Sequence, residues 1–472
     1  MRPPIAALGL LFLAACAGPR PLSPPGAAVT PPEGWRNGPT ESSAEISADW
    51  WGAFNDPVLT QIVQTALANN TDVAIAATRV TEARGQFHLA RAQGRPNVQG
   101  ELQGVRERDV NPGFGIPEVQ TAGAADVSIS YDLDLFGRLA KAREAARAGL
   151  LASQAAHDNV RLAVAASAAS GYITLRSLDA RLAILLATLA DRGAALKVAQ
   201  RRADAGYASQ LDLAQAAADY QATLQLVPAA QLAIARQEDG LSLLLGESPR
   251  AIERGLGLTA IALPTIPASL PSALLRRRPD IAAAEQQLVA ANHSLDSARA
   301  AFMPDVQLTA SGGVEGSTLI PMTPQAVGVY ALGAGVLAPI FDSGRLKAQQ
   351  EIVAARRDEA AFAYRKSALV AFREVEDALA SLQRLQQQEA ALDAQRAVLA
   401  HTVTLATNRY RAGYSPYLDE LDAQRGLLAA DLSLVQSRAD RLNAAVTLFE
   451  ALGGGWRSSE LAETTPAKAS PR

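Results

Sequence analysis

The chain has 472 residues, 49 % of them hydrophobic but only 5 % aromatic, and its 44 basic and 47 acidic residues leave a formal net charge of −3. Interspersed charge of that balance leaves no electrostatic footprint for nucleic acid, and four His with a single Cys argue against a zinc site or a cysteine nucleophile. The length exceeds one ordinary compact domain, and an apolar fraction carried mostly by Ala and Leu is that of long packed helices.

The N-terminus reads MRPPIAALGLLFLAACAGPRP, with Arg2 ahead of an apolar run from Ile5 to Ala15 and then Cys16. The run is too short to span a membrane as a mature helix and fits the h-region of a secretory signal. Leu13 to Cys16, LAAC, resembles the bacterial lipobox, in which the signal is cut before a Cys whose thiol is joined to diacylglycerol. Residues 1–15 are therefore expected to be a lipoprotein signal peptide, Cys16 the lipidation site, and residues 16–46 a Pro-rich linker. Ala at position 17, rather than Asp, points to outer-membrane sorting. A mature chain with no further Cys suits an oxidising periplasm.

From there the chain repeats itself. RADAGYASQLDLAQ (202–215) matches RYRAGYSPYLDELDAQ (409–424), so that Gly206-Tyr207 and Asp212 recur 207 residues later as Gly413-Tyr414 and Asp419. DLFGRLAKA (134–142) matches FDSGRLKAQ (341–349) at the same spacing, and LARAQGRPNVQ (89–99) matches SARAAFMPDVQ (297–307). Matched points at nearly constant spacing mean duplication. The expected units are a first repeat over residues 47–260, a second over 261–456, and a disordered tail over 457–472.

NNTDVAIAATRVTEAR (69–84) likewise aligns with RRPDIAAAEQQLVAAN (277–292), and between the helices of each repeat lie segments of a different period. NVQGELQGVRE places Val98, Gly100, Leu102 and Gly104 against Asn97, Gln99, Glu101 and Gln103. ADVSISYDLDL and DVQLTASGGVE alternate likewise, and VGVYALGAGVLAPI does so less cleanly. Alternation over about ten residues is the signal of a two-faced strand and suits a membrane barrel with lipid on one side and water on the other. The strands fall as hairpins over roughly 97–134 and 305–340. Four strands cannot close a barrel, and an open edge cannot sit in lipid. Copies arranged about a cyclic axis solve this most simply: three give twelve strands, whereas two give eight, too narrow to pass solutes.

After each hairpin comes a proline-free run, Arg138 to Val227 and Ile340 to Ser415, rich in good helix formers. A helix over about 345–411 would be on the order of 100 Å long and must pack lengthwise as coiled coil. The Gly-Tyr elements at 206 and 413 turn the chain, with Ser209 and Ser415 capping the helices that return to about Leu245 and Leu452, each stopped by glycine.

DWWGAFNDPVL (49–59), YDLDLFGRL (131–139), LPSALLRRRPDIAAAE (270–285), PIFDSGRL (339–346), REVEDAL (373–379) and LFEALGGGW (448–456) together resemble the TolC-type outer-membrane efflux protein family, in its lipid-anchored (NodT-like) branch serving RND tripartite efflux systems. The resemblance covers about residues 48 to 456. It implies an α+β membrane protein: a homotrimer whose twelve-stranded outer-membrane β-barrel, four strands per chain, continues into a periplasmic α-helical coiled-coil tunnel. It also implies a periplasmic adaptor (membrane fusion) protein and an inner-membrane RND-type pump as partners, outer-membrane lipid around the barrel, no nucleic acid and no cofactor. The activity implied is passive conduction of drugs or other small toxic compounds, with no catalytic or metal-ligating residue. Asp419 and Asp422 match residues that line the family's periplasmic gate, and Tyr410 matches one that ties neighbouring coiled coils shut, with Asp212 as its acceptor. Some members carry Arg where this chain has Ser415, so an ion-paired lock there is not available.

Bland alternatives exist for these residues. Asp419 and Asp422 could be an exposed helix face or, in a lipid-anchored enzyme, a carboxylate pair; no cleft-forming domain surrounds them, and no nucleophile or metalloprotease motif occurs. Arg276 to Arg278 read as a solvated basic cluster ahead of a helix, with Asp280 in its first turn, and Trp50 and Trp51 as packing anchors. A purely structural envelope coiled coil would not need the amphipathic hairpins. Metal-ion efflux would favour thioether ligands, and three Met speak against it. Type I secretion is the remaining alternative within the channel class.

Overall fold

The computed structural model describes residues 26–38, 46–110, 113, 115–265, 271–321, 324 and 326–457. The expected signal peptide, Cys16 and nearly all of the expected tail lie outside the described residues. The chain divides into two compact units: Met1–Thr30, Gln86–Gly149 and Ala284–Lys366 form the first, and Pro31–Gly85, Leu150–Ala283 and Ser367–Arg472 the second. No described helix is long and apolar enough to cross a membrane.

The first unit is organised by one antiparallel sheet in the order β1-β2-β3-β4, made of β1 (Asn97–Val110), β2 (Pro117–Leu133), β3 (Asp305–Gly316) and β4 (Val327–Leu337). Its register aligns the apolar positions across all the strands. Val98, Ile129, Ala310 and Leu332 form one row, and Leu102, Ala125, Val314 and Gly328 another. The opposite face carries Gln99, Ser128 and Ser311 in one row and Glu101 and Asp126 in the next. A period of two makes this sorting automatic once the register is set. Val98, Leu102 and Leu332 are 60 %, 72 % and 79 % exposed, so in these rows the apolar face is left uncovered among the described residues. β1 and β4 are open edges, which is what a sheet that must be completed by other copies leaves available.

Two devices join strand to helix, one per repeat. The Asp134 carboxylate accepts from the N–H groups of Leu139 (3.0 Å) and Ala140 (2.6 Å), opening helix α3 (Arg138–Asp204). Asp342 accepts from Gly344 (3.0 Å) and Leu346 (2.9 Å), opening α8 (Arg345–Arg411). Each satisfies donors that a helix start leaves orphaned. Both helices have 67 residues, and the second has the bounds expected from the proline-free run.

Most of the shorter helices belong to the second unit. The turn Trp50–Phe54 and helix α1 (Pro57–Asn69) precede α2 (Thr71–Gln93). Trp50 is buried and stacks on Phe449 with centroids 5.4 Å apart, as befits a packing anchor. The return segment of the first repeat is two helices, α4 (Gln210–Leu224) and α5 (Leu226–Leu244), not one. Pro228 has no N–H and crowds the carbonyl four residues back, so the helix interrupts at Gln225. After α6 (Pro271–Arg277) and α7 (Pro279–Ala300), the second repeat, free of proline at that place, returns as one unbroken helix, α9 (Tyr417–Ala451).

The basic cluster ahead of α7 is solvated only in part: Arg276 is exposed as expected, whereas Arg278 is not. Arg278 is 8 % exposed; it is bonded to Asp280, lies 2.8 Å from Glu374, and donates to the Ala451 carbonyl at the end of α9 (2.9 Å). A guanidinium fork can serve several acceptors at once, which a run of arginines in sequence does not reveal. Further along, Leu185, Val227 and Ala230 pack with Leu428 and Leu432, so the hairpins of the two repeats share a core.

Candidate functional site at the helix turns

The expected site residues gather where α3 turns into α4 and α8 into α9. Both turns use glycine in the left-handed region, Gly206 at φ +75° and Gly413 at φ +78°, a conformation an L side chain pays strain to adopt. Beyond the turns, the repeats diverge. In the first, Ser209 is the N-cap: its hydroxyl accepts from Asp212 N (3.1 Å), and Asp212 Oδ2 accepts from Ser209 N (3.3 Å), closing a capping box. In the second, the residue in the place of Ser209 is Pro416, which is the N-cap of α9 and makes no side-chain cap bond. Proline has neither hydroxyl nor N–H. Ser415, expected to be the cap, lies one residue too early, and its buried hydroxyl has no partner among the described residues.

That substitution decides the fate of Asp419. It occupies the capping-box position held by Asp212, but with Pro416 opposite there is nothing for it to bond. Asp419 and Asp422 are both exposed, and neither carboxylate has a hydrogen bond or ion pair among the described residues. Three residues apart on α9, they share one helix face. Glu420, between them, points the other way: it is 6 % exposed and accepts from Thr407 Oγ1 (2.8 Å) and Gln424 Nε2 (3.1 Å), tying α9 to α8.

Tyr410 is buried among Ala199, Ala216, Tyr417 and Leu421. Its ring lies 5.3 Å from that of Tyr417, with the Arg202 guanidinium 4.8 Å from its centroid, and Arg202 Nη1 donates to the Tyr410 carbonyl (3.3 Å). Burial holds the Tyr410 phenol above its ordinary pKa, with Arg202 opposing and Asp212 and Glu420 adding to the rise. The hydroxyl has no hydrogen-bond partner among the described residues. Asp212 is thus close enough to act on Tyr410 through space, but no hydrogen bond joins the two among the described residues; Asp212 Oδ2 accepts from Ser209 N. Burial pushes the Tyr417 phenol up to about 12, with Asp219 and Glu420 contributing.

The structure therefore brings Tyr410, Asp212, Asp419 and Asp422 to one end of the hairpins. Arg202, Glu420 and the Arg192–Asp219–Arg425 group escaped the sequence reading. Glu420 was discoverable: it sits on the helical period of Tyr417 and Leu421, the buried face of α9.

The class of protein follows from this architecture together with its likenesses. The outer membrane efflux protein family matches the chain twice, over residues 62–247 and 270–454. The pyoverdine export outer membrane protein OpmQ of Pseudomonas putida is 34 % identical over 458 residues, covering 95 % of this chain and 96 % of its own. The toluene efflux pump outer membrane protein TtgI of Pseudomonas putida is 35 % identical over 420 residues, covering 86 % and 87 %. A membrane protein from Pseudomonas aeruginosa has the same fold with a TM-score of 0.84 and 31 % identity, over 92 % of this chain and 99 % of that one. The MtrE outer membrane channel of Neisseria gonorrhoeae, in its open state, gives a TM-score of 0.80 and 28 % identity, over 93 % and 99 %. Long helical hairpins and a four-stranded sheet with open edges are here the fold of an outer-membrane efflux channel, consistent with a trimeric barrel and a helical tunnel. This chain belongs to the outer membrane efflux protein family, and its work is outer-membrane efflux transport.

Proposed function

We propose that the chain acts, as a homotrimer, as the passive exit duct of a tripartite pump. It would receive small toxic organic compounds from a periplasmic adaptor and an inner-membrane RND-type pump and perform no chemistry on them. Relatives of nearly equal identity, 34 % and 35 %, are named for pyoverdine and for toluene, which supports a conduit that leaves cargo choice to the pump. In this reading residues 47–260 and 261–456 are two copies of one unit, and Cys16 carries lipid that anchors the chain in the outer membrane.

The periplasmic gate is assigned to Asp419 and Asp422, with Tyr410 and Asp212 behind them. The observation that carries the assignment is the release of Asp419 from the capping box by Pro416, which leaves two unbonded carboxylates on one exposed face. Repeated about a threefold axis they form rings that attract cations and set selectivity at a constriction. The test is conductance of the purified trimer in planar bilayers, with a trivalent cation added from the periplasmic side. Asp419→Ala with Asp422→Ala is expected to weaken block by about tenfold or more, the change that loss of one modest contact brings. Unaltered block in a folded, conducting trimer would refute the gate assignment.

A further inference from the structure

Strand β1 sorts its charges by face toward the end remote from the helices. Successive residues of a strand alternate between faces, so Arg106 and Arg108 share theirs with Val98 and Leu102, while Glu101, Glu107 and Asp109 share the other. The register sets Arg106 opposite Thr121 and Arg108 opposite Val119, whereas Asp109 stands opposite Glu118. Both arginines are exposed, and neither makes an ion pair or hydrogen bond among the described residues. The polar face is the inside of the curve. A Cβ on Gly313, which belongs to it, would lie 2.2 Å from the Ala125 carbonyl oxygen and 2.7 Å from Asp126 Cα on the neighbouring strand. The strands close toward that side, so the face of the arginines is the outer one, which in a membrane barrel meets lipid.

Height places the arginines. The outward residues of β2 are apolar from Leu133, beside the helices, up to Gly123. That climb of about ten residues measures about 34 Å along a strand, and about 26 Å in height at the tilt of a membrane barrel. Such barrels present an apolar band about 25 Å tall to hydrocarbon. Arg106 and Arg108 occupy the next two outward rows, where headgroups replace acyl chains. The β3–β4 connection marks the same level. Its backbone crosses the outer face on Gly104 and Gly123, which are register partners: a Cβ on the first would stand 2.8 Å from the Leu319 carbonyl oxygen, and one on the second 2.3 Å from that of Thr318. Glycine leaves room for so close a backbone. Thr318 Oγ1 donates to the Ile320 carbonyl (2.7 Å) and holds the turn, while Leu319 and Ile320 stay 49 % and 67 % exposed. Each copy thus shows an apolar lip one row below two free guanidinium groups.

We propose that Arg106 and Arg108, above the lip of Leu319 and Ile320, bind the phosphates of outer-leaflet glycolipid, one site per copy of the trimer. A guanidinium fork matches phosphate oxygens in pairs, and the lip gives acyl chains a ledge at the depth where they begin. The plain alternative is a pair of solvated charges that blunts an edge strand. That role asks for charge but not for its segregation, cations outward and carboxylates inward. The lipid is glycolipid rather than phospholipid because the arginines lie at the end of the sheet remote from the helices, and in a bacterial outer membrane the leaflet on that side is built of phosphorylated glycolipid. The inference rests on the trimeric outer-membrane barrel and adds to it a site for one class of lipid.

Native mass spectrometry of the intact trimer in detergent, titrated with bisphosphorylated lipid A, tests it. Arg106→Gln with Arg108→Gln is expected to weaken binding by about twenty-fivefold, about fivefold for each basic residue at an anionic lipid surface. Wild type should bind the phosphate-free glycolipid as weakly as that variant binds lipid A. Arg106→Lys with Arg108→Lys keeps both charges and should stay within about fivefold of wild type. Arg276→Gln, at an exposed position off the sheet, should change nothing. Equal affinity of wild type and the Gln variant overturns the site, as does an equal loss in Arg276→Gln. Phosphatidylglycerol bound as tightly as lipid A, or lipid A displaced by millimolar inorganic phosphate, overturns the glycolipid assignment. Planar-bilayer conductance keeps the two proposals apart. The Gln variant should conduct like wild type, so unaltered lipid binding beside normal conductance refutes the lipid site alone. A wild-type trimer that binds lipid A and does not conduct refutes the duct and leaves the lipid site standing.

Discussion

Arg278→Met is expected to loosen the place where the second repeat begins and ends. Methionine keeps most of the apolar stem but none of the donors, so Asp280 and Glu374 lose their counter-charge and the Ala451 carbonyl its partner. Removing one member of a buried pair costs about 3–5 kcal/mol. Asp280 and Glu374 are 26 % and 36 % exposed and regain water, which favours the low end, near 3 kcal/mol. An unfolding entropy of about 2.1 cal/mol/K per residue gives about 1 kcal/mol/K for a chain of this length, so the melting midpoint should fall by about 3 °C. The pH dependence has a defined sign. Glu450 is held above its ordinary value of 4.5 by burial and then by the Glu374 charge, with Arg278 opposing. A carboxyl raised in the folded state contributes stability that is complete below the unfolded value and lost as pH rises through the folded one. Without Arg278 that loss deepens, so the deficit of the variant is greatest near pH 8 and shrinks on acidification toward pH 5. The assay is the thermal loss of helical circular dichroism in detergent, at one scan rate because such assemblies unfold irreversibly. An unchanged midpoint near pH 8, or a deficit that grows on acidification, would refute the reasoning.

Tyr410→Phe is expected to conduct like wild type, because the hydroxyl makes no hydrogen bond among the described residues, whereas Tyr410→Ala removes the ring packed on Tyr417 and Arg202 and should raise conductance. Gly453→Ala is expected to prevent correct assembly: φ is +89° and the new Cβ would stand 1.9 Å from the Arg277 carbonyl oxygen, so the yield of detergent-resistant trimer should collapse; a normal yield would count against the geometry. Cys16→Ser should abolish incorporation of labelled palmitate in cells and leave the signal uncleaved at residue 16, as read by mass spectrometry of the purified chain.

Much of the architecture is legible in the residues because it rests on local chemistry. Period-two alternation foretold the strands, proline-free runs foretold the two long helices, and the recurrence of Gly-Tyr placed the turns. Each is a property of consecutive residues that needs no distant partner. The misreadings have the opposite character. Ser415 looked like a cap, but N-cap geometry depends on which residue the backbone places at the helix start, and that residue was Pro416. Arg278 looked like part of a solvated run, but α7 carries it into contact with Glu374 and the end of α9. Tyr410 and Asp212 do lie near one another, with no hydrogen bond between them among the described residues.

The sequence by itself thus determined the elements, their duplication and the class of protein, since propensity, period and repeat spacing are all written along the chain. Only the tertiary structure decided which charges are free and which are bound. Asp419 and Asp422 stand in solvent, Glu420 between them is locked to α8, and Asp219 is buried between Arg192 and Arg425, although all four are acids on similar helices. The physical reason is that a carboxylate's role depends on its partners and its hydration, and those partners lie from 4 to 206 residues away in the chain.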